Sequence, residues 1–165
     1  MGIRGMCAAL APVGVLMLSI AGSSACGKSS VEPPPTVWHD LATGEAIARK
    51  EHKPAVVFFF AEWSVADKML AEQTFPDPDV RAAMKDFVAI KVDVTNDEDR
   101  AVRRAQERFL VVGVPTIIVL ASFDPPPDDA SARLRNDELF RAHEFMKPGP
   151  LAASLRSAKQ QLDRR

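Results

Sequence analysis

The sequence predicts an α/β domain in which a central sheet is flanked by helices, and three observations carry that prediction. Apolar, β-branched runs of strand length lie at 55–61, 87–94 and 114–122; charged segments with helical patterning separate them; and a 165-residue chain that is 47% hydrophobic and 26% charged suits one ordinary core plus something short.

In chain order, residues 37–39 are a short strand candidate. Residues 41–52 read as a helix, with apolar Leu41, Ala46, Ile47 and Ala48 among charges, and Pro54 ends it. The run Ala-Val-Val-Phe-Phe-Phe-Ala at 55–61 has no polar alternation, as expected of a central strand buried on both faces. From Ser64 the pattern turns helical, with Val65, Met69 and Leu70 available for one face, until Phe75-Pro76. Asp77-Pro78-Asp79 is a fresh start signal for a short helix through Lys85. Residues 87–94 alternate Val88, Ile90, Val92 and Val94 with Ala89, Lys91 and Asp93, a strand pattern. Thr95 or Asn96 is then expected to cap a helix whose first turn holds Asp97, Glu98 and Asp99, where carboxylates favour the positive end of the helix dipole. A third apolar strand at 114–122 begins with Pro115. Beyond the proline loop at 125–127, residues 134–142 form an edge strand and 151–162 a closing amphipathic helix.

The N-terminus has a different character. Arg4, the apolar small-residue run at 6–20 and the sequence Ala21-Gly22-Ser23-Ser24-Ala25-Cys26 have export-signal anatomy, and the run falls short of the ~20 residues that span a bilayer. The expected organisation is a signal peptide at 1–25, a flexible tether at 26–36 and a folded domain at 37–165. Ser24 and Ala25 before Cys26 also resemble a lipoprotein signal, although Ser23 stands where those signals carry an aliphatic residue. Cys26 is therefore either an acylated membrane anchor or a free N-terminal thiol. Cys7 leaves with the signal, so the folded domain contains no cysteine and forms no internal disulfide. A formal net charge of -1 and a pI near 6.3 provide no field for nucleic acid or an anionic membrane surface.

Four segments together, Ala-Glu-Trp-Ser-Val-Ala-Asp-Lys at 61–68, Thr-Phe-Pro-Asp-Pro-Asp-Val at 74–80, Val-Asp-Val-Thr at 92–95 and Gly-Val-Pro-Thr at 113–116, resemble the thioredoxin-like family. More narrowly they are similar to the periplasmic C-terminal domain of the transmembrane thiol:disulfide interchange reductase, from Trp38 to the C-terminus. The resemblance implies a thioredoxin-like fold with a mixed central sheet and a cis Val114-Pro115 bond facing the active-site turn. It also implies that the backbone before Pro115 pairs with an extended polypeptide guest, with Trp63 lining the groove.

In that family a cysteine stands at each end of the active-site motif. Here those places hold Ser64 and Asp67, neither of which forms a mixed disulfide or resolves one. The family's two proton-handling acids, six residues before the first cysteine and four after the second, are matched by Phe58 and Ala71. Ser64-Val65-Ala66-Asp67 itself fits a helix capping box: Ser64 caps the amide of Asp67 and the carboxylate reaches back.

No cofactor or metal is implied. His39, His52 and His143 are scattered without ligand spacing, so a hydrolytic or metal site built on Glu62, Ser64 and Asp67 has no partner histidine. Asp93, Thr95, Asp97 and Asp99 have the alternate spacing of a calcium loop, but Glu98 occupies the position that needs glycine. The leading expectation is a redox-inactive envelope module that binds or helps assemble a polypeptide or envelope-protein partner through Trp63, Val114 and Pro115. The alternatives are an accessory member of a thiol:disulfide pathway, with Cys26 as a lone thiol, and a purely structural domain.

Overall fold

A computed structural model describes residues 32–123 and 137–165 of the chain. The expected signal segment, Cys26 and the proline loop at 125–127 lie outside the described residues. Among those described, the order is β1 (Trp38–His39), α1 (Leu41–Glu51), β2 (Ala55–Phe60), α2 (Val65–Met69) running into a π-helical turn (Leu70–Thr74), α3 (Pro78–Met84), β3 (Val88–Asp93), α4 (Arg100–Phe109), β4 (Thr116–Leu120), β5 (Glu138–Ala142) and α5 (Pro148–Leu162).

The five strands form one mixed sheet in the order β1-β3-β2-β4-β5. β1 and β2 run parallel to β3, while β4 is antiparallel to both β2 and β5. β2 is thus the central strand, and its unbroken apolar sequence has the physical reason anticipated for it. Val57 and Phe59 enter one core with Ile90, Ile118 and Phe109, whereas Val56 and Phe58 enter the other with Leu70, Val80 and Leu155. α1 lies so close to β3 that a Cβ on Gly44 would stand 2.3 Å from Ile90 Cγ1, which fixes glycine at that position. Glu45, buried beside it, accepts from Arg49 at 3.0 Å and from Arg108 at 2.5 Å, joining α1 to α4.

Several expected boundaries move. Neither Thr95 nor Asn96 caps α4. The Asp99 carboxylate does so by accepting from the Ala101 amide at 2.7 Å, and Asp97 and Glu98 precede the helix instead of filling its first turn. Val65, expected on a packed face, is 71% exposed, while Leu70 is buried. The turn Leu70–Thr74 widens to a π-helical pitch, closed by the Phe75 amide on the Leu70 carbonyl at 2.9 Å. α5 begins three residues before the expected start because Pro148 and Pro150 occupy its first turn, where a missing N–H costs nothing. Of the expected edge strand, Glu138–Ala142 is a strand and residues 134–136 lie outside the described residues. At the N-terminal side, the Arg81 guanidinium on α3 donates to the Pro33 carbonyl at 2.6 Å and pairs with Glu32, so these two residues of the expected tether are held on the domain.

Candidate functional site

The site grows from the C-terminal end of β2, where the chain leaves the sheet through Ala61, Glu62 and Trp63 and enters α2. Ser64 has extended backbone (φ -81°, ψ 119°), and its Oγ accepts from the Asp67 amide at 3.2 Å, so the forward half of the expected capping box is present. The reciprocal half is not. The Ser64 amide already donates to the Ala61 carbonyl at 3.0 Å and has no need of a side chain. The Asp67 carboxylate turns the other way: its Oδ2 accepts from the amide of Ala61 at 2.9 Å, supplying the acceptor that this buried donor at the end of the strand requires.

Asp67 is 3% exposed, and its second oxygen, Oδ1, has no hydrogen-bond partner. Burial pushes its carboxyl above the usual aspartate value of 3.8, against the hydrogen bonds from Ala61 and Ser64, which act to lower it. Ser64 is buried as well. Neither is an exposed nucleophile.

The loop carrying Glu62 and Trp63 is pinned to the end of β3. The Glu62 amide donates to Thr95 Oγ1 at 2.9 Å, and the Thr95 amide donates to Asp93 Oδ1 at 2.8 Å. Thr95, read from sequence as a helix cap, is therefore a clamp on the site loop. The signal for this role was the Val-Asp-Val-Thr segment at 92–95, whose carboxylate and hydroxyl stand two residues apart.

On the other side, β2 and β4 pair antiparallel with Phe59 opposite Thr116, which brings the residues preceding β4 beside the residues following β2. The Val114-Pro115 bond is cis, as the resemblance implied. Pro115 is buried and Val114 half-buried; Thr116 Oγ1 donates to the Gly113 carbonyl at 2.7 Å and lies 3.3 Å from His143 Nδ1. The sheet thus brings the turn at 61–64 and the turn at 113–115 to the same end. The exposed large apolar side chains in or directly beside these turns are Trp63 at 67%, Val65 at 71% and Val112 at 93%.

The remaining residues singled out from sequence do not converge. His39 lies in β1, His52 closes α1 in the left-handed region with φ 50°, and His143 follows β5. Among the described residues no group of three His, Cys, Asp or Glu side chains is placed to hold a metal ion. Phe58 and Ala71 both line a cleft beside Asp67 together with Trp38, Phe60 and Phe75.

A family profile described as thioredoxin-like matches residues 37–122. The chain is 31% identical over 112 residues to the thiol:disulfide interchange protein DsbD of Klebsiella pneumoniae subsp. pneumoniae, an alignment that covers 68% of this chain but 17% of that protein. The chain therefore spans about a sixth of that relative's length. Among solved structures it is similar to a thioredoxin from Thermus thermophilus, with a TM-score of 0.60, 20% identity and coverage of 76% of this chain and 88% of that one. The reduced DsbD C-terminal domain of Neisseria meningitidis gives a TM-score of 0.57 and 22% identity, covering 74% and 99%.

Proposed function

This chain belongs to the thioredoxin-like family, and from that premise we propose that it is an exported, redox-inactive member that binds an extended polypeptide segment of an envelope partner. The observation that carries the reading is chemical. Cys7 and Cys26 are the only cysteines, and neither falls in the domain, where the resemblance aligns Ser64 and Asp67 with the two ends of the family's active-site motif. Disulfide exchange requires an attacking thiolate and a resolving thiol, and a buried serine with a buried aspartate replaces neither.

What is retained supports binding. Trp63 and Val65 present apolar surface beside the turn at 113–115, at one end of the sheet. Large aromatic side chains so placed are the usual anchors of a protein interface. An extended guest would add main-chain hydrogen bonds to side-chain contacts with Trp63. Export follows from the signal anatomy of residues 1–25, and acylation of Cys26 would hold the domain at a membrane.

Two assays test the proposal. With Cys26→Ala, dithiol-coupled insulin reduction should stay at the rate of the reductant alone; catalysis above it overturns the redox-inactive reading. With an unfolded polypeptide as the probe, the wild-type chain should bind and Trp63→Ala should weaken capture by about tenfold, the scale of one interface aromatic. Equal capture by both leaves the purely structural reading in its place. The activity named for the DsbD relative, thiol:disulfide interchange, favours a second reading in which Cys26 serves a thiol pathway as a lone thiol. That reading requires a mixed disulfide trapped on Cys26 of the wild-type chain.

A further inference from the structure

The sheet register extends the candidate site by one strand. Phe59 of β2 pairs with Thr116 of β4, and Ile117 of β4 pairs with Ala142 of β5. His143 therefore stands next to Thr116, at the end of the sheet that carries the turns at 61–64 and 113–115. Two strand spacings separate β2 from β5, roughly 10 Å, a span that about three residues of extended chain cover. His143 is exposed, and among the described residues its one partner is Thr116, whose Oγ1 lies 3.3 Å from Nδ1.

That contact has a direction, and the direction fixes the state of the ring. The Thr116 hydroxyl has a single proton, which goes to the Gly113 carbonyl at 2.7 Å. Towards His143 the same oxygen can only accept, so Nδ1 carries the N–H. In the neutral imidazole, Nε2 is then left with its lone pair. Thr116 is fully buried, so a ring bonded to it through Nδ1 turns Nε2 outward. Thr116 also follows the cis Val114-Pro115 bond and is tied to Gly113, which holds the ring in step with that turn.

We propose that His143 is a recognition residue of this site, whose Nε2 accepts a hydrogen bond from a hydroxyl or amide side chain of the guest. Thr116 is the positioning residue that keeps the ring in the required tautomer. The inference rests on the polypeptide-binding reading and narrows the chemistry of the guest. Trp63, Val65 and Val112 offer only apolar surface, against which a guest hydroxyl or amide would lose its bond to water. Nε2 of His143 supplies the acceptor that replaces it.

Two measurements test the proposal. In the first, a ¹⁵N-histidine spectrum of the full chain is taken in buffer alkaline to the ordinary imidazole range. His143 should appear as the Nδ1–H form, and Thr116→Val should return it to the Nε2–H form that free histidine prefers. An Nε2–H ring in the wild type overturns the proposal. In the second, binding is measured for a peptide that alternates phenylalanine with serine between flanking lysines, and for its counterpart with alanine in place of serine. The wild type should hold the serine peptide about fivefold more tightly. His143→Gln, whose amide oxygen can stand where Nε2 stood, should keep that preference. His143→Asn, which reaches only Thr116, and His143→Phe should abolish it. Equal affinity of the wild type for the two peptides, or a preference that survives His143→Phe, overturns the proposal. Binding that falls with Trp63→Ala but is blind to serine defeats this inference alone, whereas binding of neither peptide defeats the preceding reading with it.

Discussion

Asp40 and Asp67 are the same side chain at the start of neighbouring helices, and the fold treats them in opposite ways. Asp40 is the N-cap of α1 and stands in solvent. One of its oxygens accepts from the Thr43 amide at 3.0 Å and the other from the Thr43 hydroxyl at 2.7 Å. Those bonds hold its carboxyl below the usual value of 3.8. Asp67 lies three residues into the corresponding motif of α2, where Ser64 has taken the capping role. Its carboxyl is buried, only one oxygen is bonded, and burial pushes its proton affinity up. A carboxylate kept for helix stability ends with both oxygens satisfied in water, as Asp40 does. Asp67 meets neither condition, and helix capping therefore does not account for it.

The largest effect that would sharpen this contrast belongs to Ser64. If Ser64 caps α2, Ser64→Ala leaves the Asp67 amide without its acceptor and should cost about 1 kcal/mol in a denaturant melt. An unchanged midpoint would return the capping role to Asp67.

Asp67→Asn should act in the opposite direction and by less. The amide oxygen can still accept from Ala61, and no charge has to be buried, so the variant should be more stable than wild type at neutral pH. The sign of the pH dependence follows from a folded-state pKa above the unfolded value. Between the two values the native state binds more protons than the unfolded one, so the stability of the wild type falls as pH rises through 3.8 and up to the folded pKa. The advantage of Asp67→Asn should accordingly vanish below 3.8. An advantage that grows in acid would break the comparison.

Asp40→Ala should give the smallest change, in the reverse pH sense, because its hydrogen bonds from Thr43 stand in solvent, where water competes for the same donors. The stability that Asp40 contributes is present above 3.8 and lost as pH falls through its lowered folded value. Melts of wild type and Asp40→Ala should therefore converge in acid.

The difference between the two aspartates also marks where the sequence was legible. The sheet was: the uninterrupted run of β2 reports burial on both faces and the alternation of β3 its main packed face, and the structure places those strands at the centre and beside it, with Ala89 of β3 buried on the second face as well. The cap of α1 was not legible although Asp40 directly precedes the helix, because apolar periodicity carries no signal for a side chain that bonds only to the next turn. Around α4 the reason is competition. Asp93, Asn96 and Asp99 each accept from a backbone amide two residues on, so several residues offer themselves as the helix start, and only the bond from Glu62 to Thr95 removes Thr95 from contention.

At the site, the Ser-x-x-acid spacing correctly announced the Ser64 cap, but it could not say which way the carboxylate would turn. That choice is made by the Ala61 amide, whose demand for an acceptor arises from its burial at the end of β2. The aromatic cleft was out of reach for a different reason. Phe58 and Phe60 share a face by strand alternation, but Trp38 and Phe75 join them only because β1 lies beside β3 and the π-helical turn delivers Phe75 to the same layer. Phe58 and Ala71 are legible in the sequence only as an aromatic and a small residue. That the same residues wall a cleft ending on Asp67 emerges only from the packing.

Asp67 is a buried acid with one unbonded oxygen and not a helix cap, and a carbon-detected NMR titration of the Asp40 and Asp67 carboxyls in one sample tests this most directly. The predicted result is a clear order, with Asp40 losing its proton below 3.8 and Asp67 above it. If Asp67 titrates at or below Asp40, its carboxylate is solvated or fully paired, and the contrast on which the site is built is wrong.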